Sequence, residues 1–397
     1  MALLTPEITE FISNNANKSP AELALLAKRY PDLPMGFIAQ QVKGRAKTRS
    51  KLPSWSGDEA VVFPKSLPLE QCTSEQVARF RSSVLQGGKA AIDLTGGFGV
   101  DARFLAEKFE SYTYCERDAE LAEIAEENFT TFGLSGRVAC KVGDGLELLR
   151  SAPPPFDLIF VDPARRDDRS YKVSALEACE PDIATHWDEL LTGAKRVAVK
   201  TSPGLDVTSV LSELSSIEDL YVISVENDCK ELFLVARKDF DGEARIHCVN
   251  LRKNGQVDQF DFALSEEKEE EGEFAPPGRF LCEPNASIMK AGGFKSVSKK
   301  WGLNALNPRT RLYGAEFIPE GFQGRVFEIM DQAPIGAKEA KRLFPKKKAN
   351  VISRNSGMTA EELRKKIGLK EGGELFAIGA AVSGVGRRLY ACKCVQR

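Results

Sequence analysis

The sequence predicts a multidomain α/β protein built around a parallel sheet with helices on both faces. Three observations lead there. From Lys89 onward, short apolar runs at 90–94 (AAIDL), 112–116 (YTYCE), 138–142 (VACKV), 157–161 (DLIFV) and 195–200 (KRVAVK) read as strands. Amphipathic stretches of roughly 10–15 residues fill most of the gaps, the spacing of strand–helix–strand units. Two further runs, 220–225 and 231–236, are separated only by Glu226-Asn227-Asp228-Cys229-Lys230. That connection is too short for a helix, so an antiparallel hairpin is expected to close the sheet. At 397 residues the chain exceeds one compact core, and two to four domains are expected.

Residues 1–72 read as a helical N-terminal region, with Ile8, Phe11 and Ile12 and then Leu23, Leu25 and Leu26 at helical spacing. A basic stretch over 43–51 and Pro53 follow. A helix is expected over 74–85, with Thr73 and Gln76 as a capping box and Val77, Phe80 and Val84 as its buried stripe. The α/β domain proper spans 73–240. The run from Ser265 to Glu273, with Pro276-Pro277 behind it, reads as a solvated hinge or loop. Around it, 241–330 is expected to be linker plus a small α/β, ferredoxin-like unit, and 331–397 a basic C-terminal domain. In the latter, Thr359 and Glu362 cap a short helix ahead of strands Leu375–Ala381 and Leu389–Val395.

Composition narrows the class. With 42% hydrophobic residues, 28% charged and a net charge of −2, the chain is neither wholly disordered nor globally basic. Nine cysteines without a CxxC pair, and only His186 and His247, give no expectation of a metal site. Cysteines at strand positions such as Cys115 and Cys140 suit reduced, buried thiols. No stretch approaches the roughly 18 apolar residues of a membrane span, and the N-terminus lacks a signal-peptide pattern. A cytoplasmic protein is expected.

The chemistry concentrates at strand ends. Asp93-Leu-Thr95-Gly96-Gly97-Phe-Gly99 follows the first strand, and its glycines let backbone approach a ligand at the carboxyl edge of the sheet. Gly97-x-Gly99-x-x-Ala102 also satisfies the dinucleotide fingerprint, so the turn alone leaves NAD open. A carboxylate at Asp93 would repel a pyrophosphate, whereas a cationic ligand would be attracted. Asp93 could equally cap its own turn. Glu116, ending the second strand in Tyr-Cys-Glu116-Arg117-Asp118, is placed to take ribose hydroxyls. Val142-Gly-Asp144-Gly145 follows the third strand, where an acid can meet an adenine amino group or act as the N-cap of a helix over 145–151. The fourth strand leads into Val161-Asp162-Pro163-Ala164-Arg165-Arg166, on the loop that borders the ligand crevice in open α/β sheets.

This ordered set from Asp93 to Arg166 resembles the motifs of class I S-adenosylmethionine (SAM) dependent methyltransferases. That family's catalytic domain is Rossmann-like and seven-stranded, five parallel strands closed by a hairpin. The resemblance implies SAM as cofactor, held by Asp93, Thr95, Gly96, Gly97, Gly99, Glu116, Arg117, Asp144 and Gly145. Asp162-Pro163-Ala164-Arg165 is similar to the Asp/Asn-Pro-Pro-Tyr or Asp-Pro-Pro-Arg segment of enzymes that methylate nucleic-acid bases, which marks Asp162, Pro163 and Arg165 as catalytic candidates. The flanks, LEQCTSEQVARF and ISRNSGMTAEELRKKIGLKEGGELF, resemble a bacterial branch with a THUMP-like C-terminal region. THUMP domains bind RNA, so tRNA or rRNA is the implied substrate.

The departures bear on mechanism. Arg165 stands where base-stacking enzymes carry an aromatic, which weakens exocyclic-amine methylation. Ser202 and Ala164 stand where carbon-5 enzymes carry a nucleophilic cysteine, so direct transfer to a heteroatom is expected. Asp162 is the candidate for contacting or deprotonating the acceptor, or else it only holds its loop. Arg166 and Lys200 are candidates for substrate anions; Arg165 and Arg166 could instead pair with Asp167 and Asp168. From residue 335 onward there are 15 Lys/Arg against 5 Asp/Glu, including Lys346, Lys347 and Lys348, and residues 43–51 hold five cations and no acid. Basic flanks suit RNA. A protein or small-molecule methyltransferase, and a SAM- or RNA-binding scaffold without catalysis, are the alternatives.

Overall fold

The computed structural model describes residues 4–152, 155–165, 176–177, 179–269 and 274–396. The chain forms two compact units, Met1–Glu218 with Leu232–Gly242, and Asp219–Glu231 with Glu243–Arg397.

In the first unit β1 (Gly88–Asp93), β2 (Phe109–Glu116), β3 (Val138–Val142), β4 (Phe156–Val161) and β5 (Ala194–Thr201) run parallel in the order 5-4-1-2-3. Helices cover both faces of such a sheet, so its central strands are apolar throughout rather than alternating. Leu158, Ile159, Phe160 and Val161 are all fully buried, as are Val197, Ala198 and Val199. The chain leaves β1 toward β2 on one side and returns to place β4 on the other. β1 and β4 therefore flank the topological switch point, where ligands bind in open α/β sheets. Helices Val100–Leu105, Ala119–Thr131, Gly145–Ser151 and Ile183–Gly193 make the crossovers. Asp118, Asp144 and Asp182 cap the last three, each accepting N–H groups of the first turn.

The closing strands follow. β6 (Ile217–Val225) and β7 (Asp228–Arg237) are joined through Glu226 and Asn227, at φ 49° and 65°, the paired positive angles of a type I′ hairpin turn. β7 enters the first unit at Leu232 and pairs antiparallel with β5 from Thr201↔Leu232 to Arg196↔Arg237.

Ahead of the sheet, helices Pro6–Asn14, Pro20–Leu26 and Met35–Thr48 bury Ile8, Ile12, Leu23, Ile38 and Val42 against one another. Leu25, expected in that core, is 80% exposed, because Leu23 and Leu26 occupy the inward face and Leu25 points opposite. Residues 52–69 then lie over the sheet's helical layer. Leu52, Trp55, Val61, Val62, Phe63 and Leu69 form one core with Phe98, Val100, Phe104, Leu121 and Ile124. Asn128 secures this segment, accepting from the Val62 N–H (2.8 Å) and donating to the Val62 carbonyl (2.9 Å).

Three further expectations need correction. Helix Glu75–Val84 is capped by Ser74, whose hydroxyl accepts from the Val77 N–H, and not by a Thr73–Gln76 box. Its buried face is Val77, Ala78, Arg81 and Ser82, while Phe80 and Val84 are only half-buried. In the basic stretch, Arg45 donates to the carbonyls of Asp58, Glu59 and Val61, Lys47 pairs with Glu70, and Lys51 donates to the carbonyls of Leu69 and Glu70. Three of the five cations thus fasten the N-terminal segment to itself. Finally, the acidic run is no simple loop: Leu264–Glu269 is helical, and the Glu267 carboxylate accepts from the N–H groups of Lys295 and Ser296 at the start of helix Phe294–Trp301.

In the second unit β6 pairs parallel with Arg245–Leu251, which pairs antiparallel with Val257–Ala263. A seven-stranded sheet follows, with Gly324–Pro334 between Phe280–Pro284 and Gly386–Gln396, and with Leu375–Val382 and Asn350–Arg354 beyond. Gly324–Pro334 runs through residue 330, where two separate units were expected to meet. Helix Ala360–Ile367 carries the Thr359–Glu362 capping box.

Candidate functional site

The registers Asp93↔Tyr114, Asp93↔Phe160 and Glu116↔Val142 set the ends of β1 to β4 on one edge of the sheet. A cavity of about 790 Å³ opens there, lined among others by Asp93, Thr95, Gly96, Gly97, Gly99, Glu116, Arg117, Asp144, Gly145, Asp162, Pro163 and Lys200. The chain thus brings every described cofactor-site and loop candidate to one place.

The glycine loop is shaped from two sides. Gly97 and Gly99 sit at φ 57° and 82°, a region that favours glycine. A side chain on Gly96 would come within 2.1 Å of the Tyr114 ring. Phe98 anchors the loop from above, packed on Trp55 (4.7 Å between ring centroids) and Phe63 (5.9 Å). The N-terminal segment therefore holds the turn in place.

The acids already have partners, and these orient them. Asp93 accepts from the Thr95 N–H (2.9 Å), the local turn bond that its position allowed. Glu116 accepts from Gly97 N–H (2.8 Å) on one oxygen and from Asp118 N–H (2.9 Å) on the other. Asp144 caps its helix with Oδ1, accepting from Leu146 and Glu147, and pairs through Oδ2 with Arg117, which also reaches Glu180. The Asp162 N–H donates to Thr95 Oγ1 (2.6 Å), and Lys200 Nζ donates to Asp162 Oδ2 (2.6 Å). Lys200 thus meets the chain's own carboxylate.

Sequence reasoning missed part of the lining. Cys72 and Thr73 arrive from the N-terminal region, Asp101 from the helix after the glycine loop, and Glu180-Pro181 from beyond the fourth strand. Arg81, fully buried, ties two of them together by donating to Thr73 Oγ1 and to Asp101 Oδ1. The available signal was a charge on the apolar stripe of the 74–85 helix, since a buried guanidinium needs a carboxylate. The side chain of Arg165, and Arg166 to Asp168 altogether, lie outside the described residues. Lys346, Lys347 and Lys348 are exposed and belong to the second unit.

Electrostatics define what fits. Among the described residues, seven carboxylates line this cavity (Asp93, Asp101, Glu116, Asp118, Asp144, Asp162, Glu180) against two cations, Arg117 and Lys200. Burial first, and then the charges of Asp101, Asp162 and Glu116, push Asp93 well above the usual carboxylate range. Asp101 is raised too, by burial that Arg81 only partly offsets. At Asp144 burial is outweighed by the hydrogen bonds from Arg117 and from Glu147 N–H, which hold its carboxyl low. A cationic ligand would relieve the repulsion at the floor, while a pyrophosphate would add to it. The donor set therefore suits SAM, with its sulfonium and ammonium, and opposes NAD. Burial disfavours the thiolate of both lining cysteines: it raises Cys72, and it pushes Cys115 up to about 12.

The similarities to known proteins agree with this geometry. A THUMP domain-like family model matches residues 324–393, and a ferredoxin-like domain model matches residues 280–322. Proteins from two strains of Mycobacterium tuberculosis, each described as an uncharacterized S-adenosylmethionine-dependent methyltransferase, are 21% identical over 305 residues, covering 76% of this chain and 80% of theirs. A solved structure from Porphyromonas gingivalis whose description names a methyltransferase is 28% identical and aligns over 100% of both chains with a TM-score of 0.87. Among the described residues, no helix is long and apolar enough to cross a membrane.

Proposed function

We propose that this chain, a SAM-dependent methyltransferase, moves the methyl group directly to a heteroatom of RNA, with tRNA or rRNA as the substrate class. The observation that carries the reading is the convergence of Asp93, Glu116, Asp144 and Asp162 on one acid-rich cavity at the switch point of the sheet. When bound, SAM supplies a methyl group already activated by its sulfonium, so the protein's task is chiefly positioning. Asp93 and Asp101 form an acidic floor, whose charged form the ammonium would favour. Glu116, fixed by two backbone N–H groups, would hold the ribose hydroxyls on its remaining lone pairs. Asp144 and Arg117 would hold the adenine.

Asp162 stands at the acceptor side. Its backbone is tied to Thr95 and its carboxylate is oriented by Lys200, so it can accept a hydrogen bond or a proton from the acceptor heteroatom. Burial raises the lining thiols, and Ser202 and Ala164 stand where carbon-5 enzymes carry a nucleophilic cysteine, which supports direct transfer. RNA is supported by the basic excess after residue 335, within the stretch similar to THUMP domains. The 43–51 segment contributes less, because its cations are largely engaged by its own chain.

The test is mass spectrometry of modified nucleosides in total RNA from cells with and without the gene. One methylated nucleoside should vanish on deletion and return with the wild-type chain but not with Asp162→Asn, which should still bind SAM in calorimetry. An unchanged nucleoside profile would refute RNA as the substrate.

A further inference from the structure

A buried arginine stands behind the acid-rich cavity without opening onto it. Arg81, on helix Glu75–Val84, is 0% exposed, so no ligand in the cavity reaches it. Its guanidinium carbon lies 5.7 Å from the ring centroids of both Phe160 on β4 and Phe233 on β7, an aromatic cradle for the cation. From there Nη2 donates to the Thr73 hydroxyl (2.7 Å) and to Asp101 Oδ1. The Thr73 side chain is itself hydrogen-bonded to the Asp101 carboxylate, which closes a three-membered group.

Stability alone does not account for this pair. Taking a guanidinium and a carboxylate out of water is costly, and exchanging such a pair for apolar side chains is often neutral or stabilising. An apolar residue beside Val77 and Ala78 would continue the buried face of the helix. The charge therefore has another use, and Asp101 shows where. It lines the cavity together with Thr73, and its side chain is 12% exposed, whereas Asp93 is 1% exposed. Burial most of all, and then the charge of Asp162, favour the neutral form of Asp101. Arg81 is the strongest influence toward the carboxylate, ahead of Lys200 and Thr73. Asp93, Tyr112 and Cys72 complete the titratable groups around it.

A carboxylate accepts on about four lone-pair sites, so one held from behind keeps others for a ligand. SAM carries two cationic groups, the sulfonium and the ammonium. Only the ammonium also donates hydrogen bonds, and a charge-assisted bond to a carboxylate is the stronger kind.

We infer that Arg81 is a positioning residue of the cofactor site: it never touches SAM, but it holds Asp101 as the carboxylate that receives the ammonium of the cofactor's amino-acid end. The inference rests on the reading of this cavity as the SAM site.

Calorimetry of the full chain with S-adenosylhomocysteine and with 5′-methylthioadenosine tests it. Both carry the adenosine and neither a sulfonium, but only the first has the amino-acid end. Arg81→Met removes the guanidinium. Arg81→Met with Asp101→Asn removes both charges of the pair and serves where the single variant fails to fold. Affinity for S-adenosylhomocysteine should fall by about tenfold or more in both, while that for 5′-methylthioadenosine stays within about twofold. Arg81→Lys keeps the cation and should bind S-adenosylhomocysteine more tightly than the double variant. Equal losses for the two ligands would make Arg81 a prop of the fold only. Undiminished S-adenosylhomocysteine affinity in the double variant would separate Asp101 from the ammonium, and Arg81→Lys no better than the double variant would separate the charge from the effect. Each of these overturns the inference. Gly96→Ala tells its failure from that of the site. If that variant loses S-adenosylhomocysteine while the Arg81 variants keep it, only the role of Arg81 is refuted. If Gly96→Ala binds as the wild type does, the cavity is not the cofactor site and the inference falls with it.

Discussion

Replacing Asn128 with alanine tests whether the N-terminal segment supports the cofactor loop. Asn128 lies on helix Ala119–Thr131, fully buried, and its amide bonds both polar groups of the Val62 peptide unit at 2.8 and 2.9 Å. Val62 is itself buried, so water cannot take over either bond. Each orphaned group costs about 1–3 kcal/mol, so the pair should cost about 2–6 kcal/mol. The effect should also reach the ligand. Trp55 and Phe63 lie on either side of Val62 in sequence, in the same segment, and Phe98 of the glycine loop rests on both. Denaturant unfolding of wild type and Asn128→Ala gives the stability change, and SAM calorimetry at a temperature where both are folded gives the affinity change. We expect the first unit's transition to move by the stated amount and SAM affinity to fall several-fold. A stability loss under about 1 kcal/mol with unchanged affinity would refute the coupling.

Other expectations can be checked independently. Gly96→Ala places a methyl group within 2.1 Å of the Tyr114 ring, which Phe129 holds edge-on at 5.3 Å; SAM affinity should drop more than about tenfold, and an unaltered Kd would remove the loop from the site. His247 sits between Asp219 (2.8 Å) and Asp261 (2.9 Å); burial lowers its pKa, but the two hydrogen-bonded carboxylates prevail and raise it to about 9. A folded pKa above the unfolded value of about 6.5 means stability fully present below pH ~6.5 and lost as pH rises through about 9, worth about 3 kcal/mol at most. His247→Gln should flatten that fall in thermal melts between about pH 6 and 10, and parallel profiles would contradict it. Replacing Lys346, Lys347 and Lys348 by alanine should reduce the salt slope of RNA binding by about 2; an unchanged slope would exclude this stretch from the phosphate contacts.

How much of the molecule can be read from its sequence depends on the range of the interactions. The central strands β4 and β5 announce themselves because burial on both faces makes each a near-continuous apolar run, whereas the edge strand β3 is largely exposed. The helix caps at Asp144 and Thr359 depend on neighbours two or three residues away. The glycine loop and the acids at Asp93, Glu116, Asp144 and Asp162 are legible for a related reason: each follows a strand, and parallel strands must present their ends on one edge. Sequence alone therefore determined the α/β class, the carboxyl edge and the acids gathered there.

Tertiary structure decided the rest. Whether Lys200 met a substrate anion or Asp162, 38 residues away, depended on β4 and β5 lying side by side. Asn128 and Val62 are 66 residues apart, and nothing local to either marks the bond. The basic run at 43–51 looked available for an anionic partner until the carbonyls of residues 58–70 came to lie against it. Leu25 showed its true side only when the helix had turned Leu23 and Leu26 inward. In each case the charge or apolar surface is plain in the chain, but its partner is chosen by the packing of distant segments. Local periodicity names the elements, and only the folded chain shows which groups satisfy one another.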